Sequence, residues 1–136
     1  MHRLGAFGNC GPVVAQGSER LLAACLDDDL GRGRIFSIRL SDGSLEAVTP
    51  AQAWGELWWP SLSASGRMAF IQSRHAAGGD IDLARLIVDD RLVFSCPEKL
   101  DRPIWIGNAS VALRCQDELV VVAADDGGVR SRTPLP

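Results

Sequence analysis

Apolar residues along this chain come in short runs, parted by clusters of Ser, Asp and Gly. The stretch "ELWWPSLSASGRMAFIQSRHAAGGDIDLARLIVDDRLVFS" from Glu56 shows the pattern most plainly. "ELWWPSL" is apolar around a Pro, and "SASG" is a turn. "RMAFIQS" is a second apolar run, "RHAAGG" a polar loop, and "DIDLARLIV" a third run. "DD" turns, and "RLVFS" closes. Apolar runs of this length, bounded by turn residues, predict strands.

The same order recurs on either side. Upstream, "CGPVVA" leads through "QGSE" to "RLLAACL". "DDDLGRG", "RIFSIRL", "SDGS" and "LEAVT" follow. Downstream, "RPIWI" leads through "GNA" to "SVALRC". "QD", "ELVVVAA", "DDGG" and "VRSRT" follow. Pro12, Pro60 and Pro103 mark the three copies at spacings of 48 and 43 residues, a period typical of repeat architectures. Each copy predicts four short strands, with a proline near the start of the first, where a missing N–H is tolerated. The turn residues Ser41-Asp42-Gly43, Asp89-Asp90 and Asp126-Gly127 suit tight hairpins. One segment pulls the other way. In "SERLLAACLDDDLG", Ser18 suits a helix cap, Leu and Ala favour helix, and Gly31 suits its end. The repeat overrides this local signal, because "RLLAA" falls where "RMAFI" and "SVALR" fall.

Within the central copy, Pro60, Ser63, Gly66, Arg67, Ala69 and Phe70 match the core of the TolB-type (WD-like) β-propeller repeat, which the chain resembles from about residue 9 to 133. Ala64 and Ser65 stand where that repeat usually has Pro and Asp. The resemblance implies an all-β fold of three four-stranded antiparallel propeller blades, at about 9–49, 56–95 and 102–133 of a single domain. Such blades occur in binding proteins and in the propeller domains that gate prolyl-oligopeptidase-type peptidases. Propellers usually close with four to eight blades, so three would leave two apolar blade faces in water. The expected partner is a second copy of the chain, with blade three packing on blade one twice by symmetry to make six blades. The alternative is a larger protein that supplies the missing blades.

Composition adds limits. The 136 residues are 46% hydrophobic and 23% charged, as in an ordinary globular domain. The net charge of −3 weighs against nucleic acid or a membrane surface as a partner. No apolar run approaches the length of a membrane-spanning helix, and the N-terminus reads poorly as a secretory signal. The cysteines at 10, 25, 96 and 115 form no Cys-x-x-Cys pair. Cys25 and Cys115 lie inside apolar runs. The reading is therefore buried free thiols in a reducing compartment, the cytoplasm, with no disulfide supported by spacing.

In a propeller, the connections between blades and those from strand two to strand three share one rim. Here that rim would gather Asp27, Asp28, Asp29, Arg32, Trp54, Glu56, Arg74, His75, Lys99, Asp101 and Arg102. Asp27–Asp29 has the carboxylate density a hard cation wants. Without an EF-hand pattern it reads as a solvated acidic loop, and no metal is expected. His75 beside Arg74 has the chemistry for an anion or a general base, but a lone loop His reads first as exposed. Trp54 is a candidate binding anchor, while Trp58, Trp59 and Trp105 read as packing residues of first strands. No nucleophile elbow, phosphate-binding loop or His-Glu-x-x-His is present. The functional expectation is a non-enzymatic, cofactor-free binding or scaffold module for a protein or peptide. The alternatives are an accessory half-propeller serving a larger enzyme, and a small hydrolase or lyase using the rim residues.

Overall fold

The computed structural model describes residues 2–3, 10–27, 32–49, 56–75 and 81–136. Among these the chain is all-β, without a helix. The first sheet holds β1 (His2–Arg3), β2 (Val14–Gln16), β3 (Arg20–Asp27), β4 (Arg32–Arg39) and β5 (Ser44–Ala47), in the order β1-β5-β4-β3-β2. The second holds β6 (Glu56–Leu62), β7 (Met68–His75), β8 (Ile81–Val88) and β9 (Arg91–Cys96), in sequence order. The third holds β10 (Ile104–Ile106), β11 (Ser110–Cys115), β12 (Glu118–Ala123) and β13 (Val129–Pro134), again in sequence order. Apart from β1, each is an antiparallel meander. The segment with helix signals is strand β3, paired along its whole length with β4 from Arg20↔Arg39 to Asp27↔Arg32. The short β1, which pairs with β5, is an addition to the predicted four-strand pattern.

The repeat is visible in one hydrogen bond per sheet. Leu40 N–H donates to Glu19 O (2.9 Å), Asp89 N–H to Met68 O (3.2 Å), and Ala124 N–H to Ala109 O (2.8 Å). These three bonds sit at the same place in each meander. They set Arg20 and Ser110 level with Ala69, not with Arg67 as the sequence alignment had it. The β6–β7 connection is two residues longer than its counterparts, and Arg67 lies in it. Proline placement differs too. Pro12 and Pro103 precede their strands, but Pro60 lies inside β6, where the ladder with β7 skips between Trp58 and Ser61. A proline cannot donate to the ladder, and a bulge is where a strand interior accepts one.

Alternation along the strands gives each sheet two apolar faces. Leu22, Ala24 and Ile35 of the first sheet pack on Leu57, Phe70 and Ile87 of the second. Ala69, Ile71, Leu86 and Val88 on the opposite face of the second sheet pack on Val111, Leu113, Val120 and Val122 of the third. The first strands β2, β6 and β10 adjoin, so the three sheets share an inner edge. The sequence expectation left both end faces wet, and the structure corrects this for one of them. On the first sheet's outward face, Ala23, Cys25, Phe36, Ile38 and Leu45 are buried within the single chain. On the third sheet's outward face, Ile104 is 62%, Ile106 53% and Leu119 38% exposed.

The cysteines are a second correction. All four are paired, as Cys10–Cys25 and Cys96–Cys115, and none is a free thiol. Ladder register explains what spacing along the chain concealed. Cys10 bridges directly opposite Cys25 at the head of the first sheet. Cys96 ends the outermost strand of the second sheet and reaches the second strand of the third, so this bond staples two sheets together.

A polar latch joins the same two sheets. Arg67 Nε and Nη2 reach Asp89 Oδ2 at 2.9 and 2.8 Å, Nη1 donates to Asn108 O at 2.6 Å, and Nη2 meets Asp125 Oδ1 at 2.9 Å. Its guanidinium lies 5.4 Å from the Trp105 ring centroid. The hydrogen bond to Asp89 holds the guanidinium above its ordinary pKa, so it stays charged. Arg67→Ala is expected to lower the thermal midpoint clearly. Arg67→Lys should restore only part of it, because one ammonium cannot span both carboxylates and the carbonyl. If the lysine variant melts with the wild type in a calorimetric scan, the fork geometry has no role.

Candidate functional site

Two cavities sit beside the first–second sheet boundary. The larger, of about 420 Å³, is a groove lined by Thr49, Leu57, Phe70, Gln72, Asp90 and Leu92, among others. Thr49 Oγ1 beside it is buried without a hydrogen-bond partner. The smaller, of about 130 Å³, lies at the shared inner edge. Its walls are Gly11 and Pro12 ahead of β2, Ala24 of β3, and Trp58, Trp59 and Pro60 of β6. Arg102, from the link into β10, also lines it. Segments feeding all three sheets therefore meet at this niche.

The niche follows from the bulge in β6. Neighbouring residues of a regular strand point to opposite faces, so Trp58 and Trp59 would be separated by the sheet. Here Trp59 has φ of 59° at the place where the ladder skips, and both residues line one cavity while Trp58 packs toward the first sheet and Trp59 toward the third. A left-handed backbone at a bulky aromatic costs of the order of 1–3 kcal/mol, and such strain concentrates at functional sites. Each Trp is held separately. Trp58 Nε1 donates to Glu56 Oε2 at 2.9 Å. Its ring lies on Gly33, where an added Cβ would stand 2.7 Å from the indole. Trp59 packs against the core between the second and third sheets, and the Arg102 guanidinium covers it at 5.4 Å from the ring centroid.

The wall at Gly11 and Pro12 is fixed by Gly11 N–H donating to Ala24 O at 2.8 Å and by the neighbouring Cys10–Cys25 bond. On the other side, the link carrying Arg102 is pinned by the Cys96–Cys115 bond and by buried Leu100, which bridges to Cys115. Both disulfides thus hold walls of the niche.

Of the residues predicted to share a rim, Arg102 lines the niche and lies over Trp59, and Glu56 accepts a hydrogen bond from Trp58 beside it. Asp27 ends β3 opposite Arg32, the first residue of β4, and His75 ends β7 opposite Ile81. Nothing further is described of those three side chains at 27, 32 and 75. Arg74 is exposed on β7. Exposed Lys99 and Asp101 face each other at 3.8 Å. Asp28, Asp29 and Trp54 lie outside the described residues. Among the described residues no three His, Cys, Asp or Glu gather to hold a metal ion. Trp58 and Trp59, read from the sequence as packing residues, do pack on the two cores of the second sheet, and they also line the niche, which the sequence reading did not single out. The signal was the Pro directly after Trp59, since a proline inside a strand announces a bulge.

Comparison of the chain with protein-family models, with curated proteins and with solved structures finds no match.

Proposed function

We propose that the chain is a non-enzymatic, propeller-type binding module of the TolB kind that takes a peptide at the inner-edge niche. The observation that carries this reading is a cavity of about 130 Å³ lined by two Trp residues, two prolines and a cation, on segments from all three sheets. Aromatic walls supply large contact area at low entropic cost, and Trp and Arg dominate binding hot spots. Catalysis has less support, because the described residues that line the niche include no nucleophile or general base beside the Arg102 guanidinium. The test is selection of random displayed peptides on the immobilised chain. Selected peptides are expected to lose at least fivefold in affinity for Pro12→Ala and for Arg102→Ala. Both residues are exposed, so both variants should fold. Unchanged affinity in both sends the ligand elsewhere.

The two disulfides favour a non-reducing compartment. The cytoplasmic reading rested on free thiols.

A second copy of the chain remains the proposed partner, now on a specific observation. Ile104, Ile106 and Leu119 share the third sheet's outward face and are exposed, whereas the first sheet's outward face is already covered. The dimer then uses the third sheet's face on both chains, as two-fold symmetry permits. Closure of blade three onto blade one loses its motive, because that apolar surface is not in water. Light scattering behind a sizing column should give about twice the 14.6 kDa chain mass, returning to the single mass in Ile104→Lys/Ile106→Lys. A wild-type monomer at tens of micromolar would remove the dimer.

A further inference from the structure

The niche has the size of one side chain. An apolar cavity of about 150 Å³ accommodates a benzene molecule, whereas sites for cofactors and drug-sized ligands run to roughly 300–1,000 Å³. At about 130 Å³, this cavity takes one proline, leucine or phenylalanine side chain and little else. Apart from Arg102, the described residues that line it are proline, glycine, alanine and tryptophan, which offer few partners to an entering polar group, and burying such a group unpaired is costly.

Among the described residues that line it, the one charge is Arg102. Among the described residues its guanidinium makes no ion pair, and its Cζ lies over the Trp59 ring, 5.4 Å from the centroid. The nearest acidic neighbour in sequence, Asp101, is drawn to Lys99 instead. A guanidinium without an ion-pair partner can grip a carboxylate with two parallel hydrogen bonds. A cationic ligand is disfavoured twice, by repulsion and because Arg102 already covers the Trp59 face that a cation would use.

We propose that this niche captures the C-terminal residue of a peptide, with its apolar side chain in the cavity and its α-carboxylate on Arg102. The proposal rests on the peptide-binding reading above and narrows it. An α-carboxylate is attached to the same carbon as the side chain. A single-residue pocket with one guanidinium at its lip therefore matches a chain terminus. An acidic side chain on a neighbouring residue would reach Arg102 only through further rotatable bonds, with more entropy lost on ordering.

The experiment uses N-acetyl-Gly-Gly-Leu as the free acid, the same peptide as its C-terminal amide, N-acetyl-Gly-Asp-Leu-amide, and tetramethylammonium. Each is titrated into the intact oxidised protein while the indole N–H resonances of Trp58 and Trp59 are followed. The free acid is expected to shift both resonances and to bind about tenfold more tightly than either amide. Arg102→Ala should bring the acid down to the level of the amides, and Arg102→Lys should leave an intermediate preference, since charge remains but the fork is lost. Equal affinity of acid and amides at these indoles overturns the carboxylate assignment and leaves the peptide site standing. Equal affinity of the acid and the Asp-containing amide makes the site a reader of acidic side chains and also overturns it. Tightest binding by tetramethylammonium overturns it in favour of a cation cage. Absence of any indole shift overturns the proposal and the peptide reading together.

Discussion

Gly127→Ala is expected to destabilise the protein by about 2–5 kcal/mol, whereas Gly43→Ala should cost only about 1 kcal/mol. Both glycines have left-handed backbones, with φ of 73° and 70°, so the conformational penalty is shared. The surroundings differ. Nothing lies within 4 Å of a Cβ added at Gly43. At Gly127 an added Cβ would overlap the carbonyl oxygen of Val93 and stand 2.9 Å from its carbonyl carbon. Val93 belongs to β9 in the second sheet and packs on the core it shares with the third. The clash is with backbone, so no side-chain rotation relieves it. The third sheet's β12–β13 turn must then move off the second sheet, and the Arg67–Asp125 contact on that turn goes with it. Urea midpoints of the two variants test this. Equal losses would mean that the sheets do not meet at Val93.

Replacing the inter-sheet staple has an effect of similar size. Cys96→Ala/Cys115→Ala opens a loop whose ends are 19 residues apart, and loop-closure entropy puts the loss near 3 kcal/mol. A small domain is stable by only about 5–15 kcal/mol in total. The double variant should therefore unfold at markedly lower urea, with the third sheet exchanging its amide hydrogens first. Chemical reduction should follow a different order. Cys96 is fully buried and Cys115 nearly so, whereas Cys10 is exposed although its partner Cys25 is not. A dithiol attacks the sulfur it can reach, so brief mild reduction followed by alkylation should label Cys10 and Cys25 first. Simultaneous labelling of all four would show that the inter-sheet bond is no better protected.

The strand pattern was legible because apolar runs and turn residues are local signals. Even β3, where Ser18, the Leu-Ala run and Gly31 argue for helix, was decided correctly by its place in the repeat. What escaped was set by pairing across the chain. Neither disulfide could be read from spacing, since Cys10 meets Cys25 through ladder register and Cys96 meets Cys115 only once two sheets have packed. Arg67 looked like the start of a strand, but two extra turn residues place it where it bridges two sheets. The burial of Phe36 and Ile38 on the first sheet's outward face carries no mark in a strand that alternates like its neighbours. The niche was half legible. Arg102 was singled out, but Trp58 and Trp59 read only as packing residues, and the bulge at Trp59 that sets them beside the cavity is a feature of pairing with β7.

Amide hydrogen exchange, measured with and without a display-selected peptide, tests the central claim most directly. The account predicts that protection gained on binding falls on the three segments that line the niche, around residues 11–16, 57–61 and 102–106. Protection gained instead along the β3–β4 and β7–β8 connections, or across the outward face of the third sheet, would contradict it.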